Sequence, residues 1–188
     1  SDIVAMAAAA IEGGADGLMF GEDPASLLGL LSEVRPVLRN TRMLVKLSPN
    51  VSDIVAMAAA AIEGGADGLS MINTITAMAI DVRTRRPRLS NVKGGLSGPA
   101  VHPIAVRMVH EVHRAVARDA KVPILGLGGV LRWEDAAELI LAGASAVAMG
   151  TALFVDPRSP RKVVRGLARW VESQGCGTVD ELVGGVEL

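Results

Sequence analysis

The chain has 188 residues, half of them apolar and 21% charged, with a net charge of -1, one cysteine, two Trp, two Phe and no Tyr. Near-neutral mixed charge gives no global reason to bind nucleic acid or an anionic membrane, and the apolar content is too high for intrinsic disorder. The length suits one globular domain but falls short of the roughly 250 residues of a complete (βα)8 barrel.

Ser1 to Leu18 recurs without a change as Ser52 to Leu69. Packing constrains pattern and volume rather than identity, so old repeats drift. Perfect identity points to recent duplication, engineering or faulty assembly, and residues 1–18 are set apart from residues 19–188. The apolar run Ile54 to Ile62 stops at Glu63, well short of the roughly 20 residues needed to span a bilayer. Cys176 alone cannot form an internal disulfide, and no basic segment precedes an apolar one at the start. A cytoplasmic protein with no transmembrane segment is expected.

Asp23 as N-cap and Pro24 at the first helical position open a helix to about Leu38, with Leu27, Leu28, Leu31 and Val34 on its apolar face. A strand follows at Met43 to Leu47. Ser52 or Asp53 caps a small-residue helix to about Glu63, Gly64 and Gly65 end it, and Gly68 to Asn73 forms the next apolar run. The connection from Thr74 to Ala100, rich in Arg, Gly and Pro, is too long to be passive and is expected to work at a site. A helix from His102 to Arg118 leads into a strand at Val122 to Leu125. Another helix spans about Trp133 to Ala142, a strand runs from Ala144 to Met149, and a last helix runs from about Pro160 to Glu172.

Four strands, each followed by a helix, imply a parallel sheet, and their near-continuous apolar runs are those of strands buried on both faces. Four βα units are half of an eightfold barrel.

The strand ends carry the chemistry. Gly126 to Gly129 (GLGG) and Met149 to Thr151 (MGT) each end a strand with bare backbone amides ahead of a helix. Such paired loops suit a phosphate, although glycines also serve simply to make tight turns. Lys46 lies inside LVKLSPN, where a buried cation is costly unless something negative meets it; an edge-strand lysine reaching solvent is the other reading. Asn73 and Thr74 can each donate and accept toward a planar polar heterocycle, or simply cap a turn. Gly94 to Ala100 (GGLSGPA) offers close backbone approach.

His110 and His113 stand three apart on a helix, but without HExxH spacing or a third ligand they read as solvated residues, and no metal is expected. Arg83, Arg85, Arg86 and Arg88 cluster without interleaved aromatics, which favours a loop over the site or a subunit contact rather than nucleic acid.

Together, KLSPN at 46–50, ADGLSMINT at 66–74, TRRP at 84–87, GGLSGPA at 94–100, GLGGV at 126–130, LAGASAVAMGTA at 141–152 and FVDP at 154–157 closely resemble dihydroorotate dehydrogenases. FGEDP at 20–24 and INT at 72–74 are most similar to the class 1 branch that passes electrons to NAD through a partner FAD and iron–sulfur subunit. The resemblance runs from about residue 19 onward. It implies an α/β fold of the TIM-barrel family, here about the last four βα units with a duplicated helix in front. It also implies FMN-dependent oxidation of dihydroorotate to orotate in pyrimidine biosynthesis, with homo-oligomerisation expected.

Carried across by motif, Lys46 sits near the flavin N1/O2 edge, Ile72 packs on the cofactor and Gly98 approaches its ribityl side. Gly128, Gly129, Gly150 and Thr151 cradle its phosphate, and Asn73 and Thr74 bind the pyrimidine. The family's NAD-linked members use a cysteine base in an SCPN loop, which this sequence does not contain; Cys176, in GCG, does not match it. No catalytic residue is therefore assigned, and the chain alone is expected to be inactive or nearly so. The alternative is a non-catalytic half-barrel, natural or engineered, that dimerises to bury its open edges.

Overall fold

The computed structural model describes residues 22–38 and 40–187, so the repeated segment 1–18 lies outside the described residues. Helix α1 (Pro24–Val34) starts where the Asp23 carboxylate accepts the Ser26 amide at 2.7 Å, and it buries Leu27 and Leu31. Strand β1 (Leu44–Lys46) follows. Helix α2 (Ile54–Glu63) is capped by Asp53, which accepts the Ala56 amide, and it leads into strand β2 (Gly68–Met71).

The long connection is not coil. It folds into two small antiparallel ribbons, β3 (Ile75–Ala77) with β6 (Gly94–Leu96) and β4 (Ile80–Asp81) with β5 (Arg86–Pro87). Arg83, Arg85, Arg86 and Arg88 sit exposed on the second ribbon.

Helix α3 (His102–Val112) continues through a π turn at His113–Ala117 to Ala120. Then come β7 (Ile124–Leu127), α4 (Trp133–Ala142), β8 (Ala146–Ala148), the short α5 (Ala152–Val155) and α6 (Ser159–Ser173). β1, β2, β7 and β8 form one parallel sheet in that order. The helices follow the strands as crossovers, so this is an α/β fold, a partial (βα)8 barrel.

Two strands begin two residues later than their apolar runs suggest. The Val122 amide is spent on the Ala117 carbonyl, closing the preceding helix, and Pro123 has no N–H. β7 therefore starts at Ile124, and Gly126 and Leu127 belong to the strand rather than to the loop. The Ala144 amide likewise closes α4 on Leu139, and the regular part of the last strand is only Ala146–Ala148.

Burial on both faces holds only for β2, all four of whose residues are buried. On β1, Val45 faces the helices and is buried, whereas Leu44 is 54% exposed and Lys46 is also exposed. The helical layer covers one face of the sheet, and the face that would look into a barrel is open along β1. Lys46 is thus not a buried cation among the described residues, and its charge bears no desolvation cost there.

The core lies between sheet and helices, with Met57, Leu69, Met71, Val109, Val112, Ile124 and Leu139 among its fully buried side chains. α2 buries Ile54, Met57, Ala58, Ala60 and Ala61, and the backbone at Gly64 lies so close to α1 that a Cβ there would meet the Leu31 Cβ at 2.7 Å.

His113 is half-buried against Gly143 and Gly184 rather than solvated, and burial pushes its pKa down, with help from Arg118 and His110. Among the described residues no group of three or more metal-ligating side chains gathers, and no helix is long and apolar enough to cross a membrane.

Asp67, in the turn before β2, ties the α1–β1 segment to the sheet. Its carboxylate accepts the Met43 amide at 2.8 Å, Arg35 Nη1 at 2.8 Å and Arg42 Nη1 at 2.9 Å. The Met43 amide and then Arg42 do most to hold its pKa down at about 2, from an ordinary 3.8, against the opposing effect of burial, with Arg35 adding to them. A depressed carboxylate pKa contributes stability that is complete above the unfolded value and lost as pH falls through the folded one. Asp67→Asn is expected to melt lower at pH 7 and to lose less stability than the wild type between pH 4 and pH 2. Thermal melts over that range check it, and parallel pH slopes for the two chains would rule the assignment out.

Candidate functional site

All four sheet strands point their C-terminal ends at the same side. Beyond the regular strands the ladder continues: the Leu47 amide donates to Ser70 O, the Ile72 amide to Leu127 O and the Asn73 amide to Leu47 O. These bonds fix where the chain turns off the sheet. They bring the ends of β1, β2 and β7 together with the GGLSGPA loop and the turn after β8.

A cleft of about 150 Å3 opens there. Lys46, Ile72, Asn73, Thr74, Gly98, Gly128, Gly129, Gly150 and Thr151 all line it, so every residue singled out from the sequence lies at one place. Leu96, Ser97, Val101 and Leu127 complete the wall and were not singled out. Leu96 and Ser97 belong to the quoted GGLSGPA and Leu127 to the quoted GLGG. Cys176 is not in this lining, and its amide closes the end of α6 on Val171 O.

Among the described residues the lining holds no carboxylate and a single cation, Lys46. None of the ion pairs among the described residues includes that lysine. Exposed backbone and one ammonium favour an anionic ligand.

Gly98 has φ +84°, which glycine adopts without strain. Gly150 has no such constraint, and a Cβ built on it, as on Gly98, meets nothing within 4 Å.

A second cavity of about 340 Å3 adjoins the first and shares Asn73 and Thr74 with it. Ser48, Asn50, Thr76 and Lys93 give it a polar wall. Asn50 organises this wall, donating from Nδ2 to Thr74 O at 3.0 Å and accepting the Thr76 amide at 2.8 Å on Oδ1. Asn73 Oδ1 in turn accepts the Thr74 amide. Asn50 stood within the quoted KLSPN motif, but its role depends on β3 folding back, which the sequence did not reveal.

Another cavity, of about 410 Å3 between α3 and α4, is lined mainly by apolar groups such as Val106, Leu141 and Val186. It lies apart from these motifs, so size alone does not mark the site.

Parallel strands joined by helical crossovers, with the quoted motifs gathered at their C-terminal ends, make this a partial βα barrel. The family model described as dihydroorotate dehydrogenase matches residues 14–171, and the chain belongs to that family. It is 48% identical over 171 residues to the protein of Pelobacter propionicus named dihydroorotate dehydrogenase B (NAD(+)), catalytic subunit, covering 91% of this chain and 55% of that protein. Proteins of the same name from Geobacter sp. (48% over 174 residues, 92% and 55%) and Bacteroides fragilis (47% over 172 residues, 92% and 55%) are similarly related. The chain spans about half the length of the curated relatives it matches.

Proposed function

We propose that the glycine-lined cleft is the FMN site and the adjoining polar cavity the pyrimidine site of a dihydroorotate dehydrogenase, acting in pyrimidine biosynthesis. The observation that carries this reading is the convergence of nine residues from five separated segments on one cleft. FMN, when bound, supplies a hydride acceptor to the pyrimidine beside it.

Lys46 places a positive charge against an electron-rich ring edge, and Ile72, 3% exposed, offers it an apolar floor. Gly128, Gly129, Gly150 and Thr151 present backbone toward a phosphate, and Gly98 leaves room for the chain linking phosphate to ring. Asn73 and Thr74, shared by the two cavities, hold the pyrimidine between donor and acceptor groups.

Among the described residues neither cavity is lined by a cysteine or a carboxylate, and on this reading the proton-abstracting base is not one of the described lining residues. The relatives are named NAD(+)-linked catalytic subunits, which supports NAD as final acceptor through an electron-transfer partner subunit.

Titration of the purified chain with FMN, followed by quenching of flavin fluorescence, is expected to saturate. Added dihydroorotate is expected not to bleach the bound flavin, because loss of a general base removes about 10²- to 10⁴-fold of rate. Absence of saturable quenching would overturn the cofactor assignment.

A further inference from the structure

His102 opens α3 directly after the GGLSGPA loop, and its side chain is only 10% exposed. Its Nδ1 lies 2.7 Å from the carbonyl oxygen of Gly128. A carbonyl can only accept, so Nδ1 carries the proton and donates whatever the state of Nε2. Nε2 is buried and has no hydrogen-bond partner among the described residues; Glu138 Oε2, at 3.6 Å, is beyond bonding range.

Burying an imidazole nitrogen without a partner is unfavourable, and an apolar side chain would fill the same space at lower cost. What the imidazole adds is its one bond to Gly128. That bond joins the start of α3 to the turn where the chain leaves β7. Gly128 and Gly129, at φ +140° and +69°, have no side chains of their own to anchor the turn. Three segments meet at this point: a Cβ on Gly129 would stand 2.7 Å from Gly98 O and 2.8 Å from the His102 Cβ.

We infer that His102 is a positioning residue for phosphate recognition. It does not line the cleft, but it engages the Gly128 carbonyl, which would otherwise be free to face and repel an anion, and it holds the glycine turn in register with Gly98. This inference rests on the FMN reading of the cleft.

The test compares FMN with riboflavin, which lacks only the phosphate, on the wild-type chain and on His102→Leu and His102→Asn, with thermal melts alongside. The wild type is expected to prefer FMN. His102→Leu is expected to lose about tenfold in FMN affinity with riboflavin affinity unchanged, whereas His102→Asn, whose Nδ2 can still donate, keeps the preference. If the leucine chain does not melt cooperatively, His102→Phe, which retains a ring without the donor, provides the same ratio. An unchanged FMN-to-riboflavin ratio in the donor-less chain, or an asparagine chain as impaired as it, would overturn the inference while leaving the cofactor reading intact. No preference for FMN in the wild type would instead overturn the phosphate reading, and the inference with it.

Discussion

Gly150→Val is expected to melt with the wild type and to bind FMN about 100-fold more weakly, equivalent to losing two or so charge-assisted hydrogen bonds. The two halves of this expectation have separate origins. Gly150 is exposed, its φ lies outside the left-handed region, and a Cβ there touches nothing within 4 Å, so the folded chain has no steric objection to a side chain. Its carbonyl still accepts the Leu153 amide at 3.0 Å, which a valine leaves in place. The branched methyls would instead occupy the mouth of the cleft beside Thr151 and push a phosphate away from the amides. Flavin titration and a melting curve on the same preparation check both halves. Unaltered FMN affinity would mean that the glycine serves only the turn, and a lowered melting temperature would mean that the space around it is not open.

Gly166→Val tests the opposite situation, a glycine enclosed by packing. Gly166 is buried in the middle of α6, and a Cβ there would collide with the Cβ and indole ring of Trp133 at the start of α4. Trp133 also lies against Trp170, one turn beyond Gly166 along α6, with ring centroids 6.5 Å apart and planes tilted by 36°, so the indole is already packed along α6. Overpacking of this kind costs about 1–3 kcal/mol, and a clash with a rigid ring belongs at the upper end. At about 2–4 °C per kcal/mol for a chain of this size, the melting temperature should fall by roughly 6–12 °C. Circular dichroism melts decide it; a fall of less than about 2 °C would mean that α4 and α6 slide apart easily and that Trp133 is not seated as described.

Much of the architecture was legible from local chemistry. Asp23 and Asp53 cap their helices, and Gly143 ends α4 with the φ of +123° that only glycine readily adopts. Such signals are legible because capping depends on residues a few positions apart. The site was legible for a related reason. In a parallel βα sheet every strand ends on the same side, so motifs at successive strand ends are brought together by topology without any side chain having to specify it.

Other features depend on partners distant in sequence. The Thr74–Ala100 connection is a pair of ribbons because Ile75 pairs with Leu96 and Ile80 with Pro87, registers that its Arg- and Gly-rich composition does not announce. Lys46 and Leu44 are exposed because no described element covers their face of β1, which the strand's own apolar pattern conceals. Asp67 draws two arginines and a backbone amide from residues 35–43, and Asn50 reaches across to Thr74 and Thr76.

The sequence by itself determined the βα order, where the long helices start and the set of strand-end residues that gather at one cleft, because periodicity, capping and turn chemistry act over a few residues, whereas α1, expected to about Leu38, ends at Val34. Only the tertiary structure decided which strand faces are covered, where Val122 and Ala144 spend their amides, and that the imidazole of His102 is committed to Gly128. Those outcomes depend on hydrogen-bond and packing partners supplied by distant parts of the chain, and a backbone amide or a buried ring has no partner until the fold provides one.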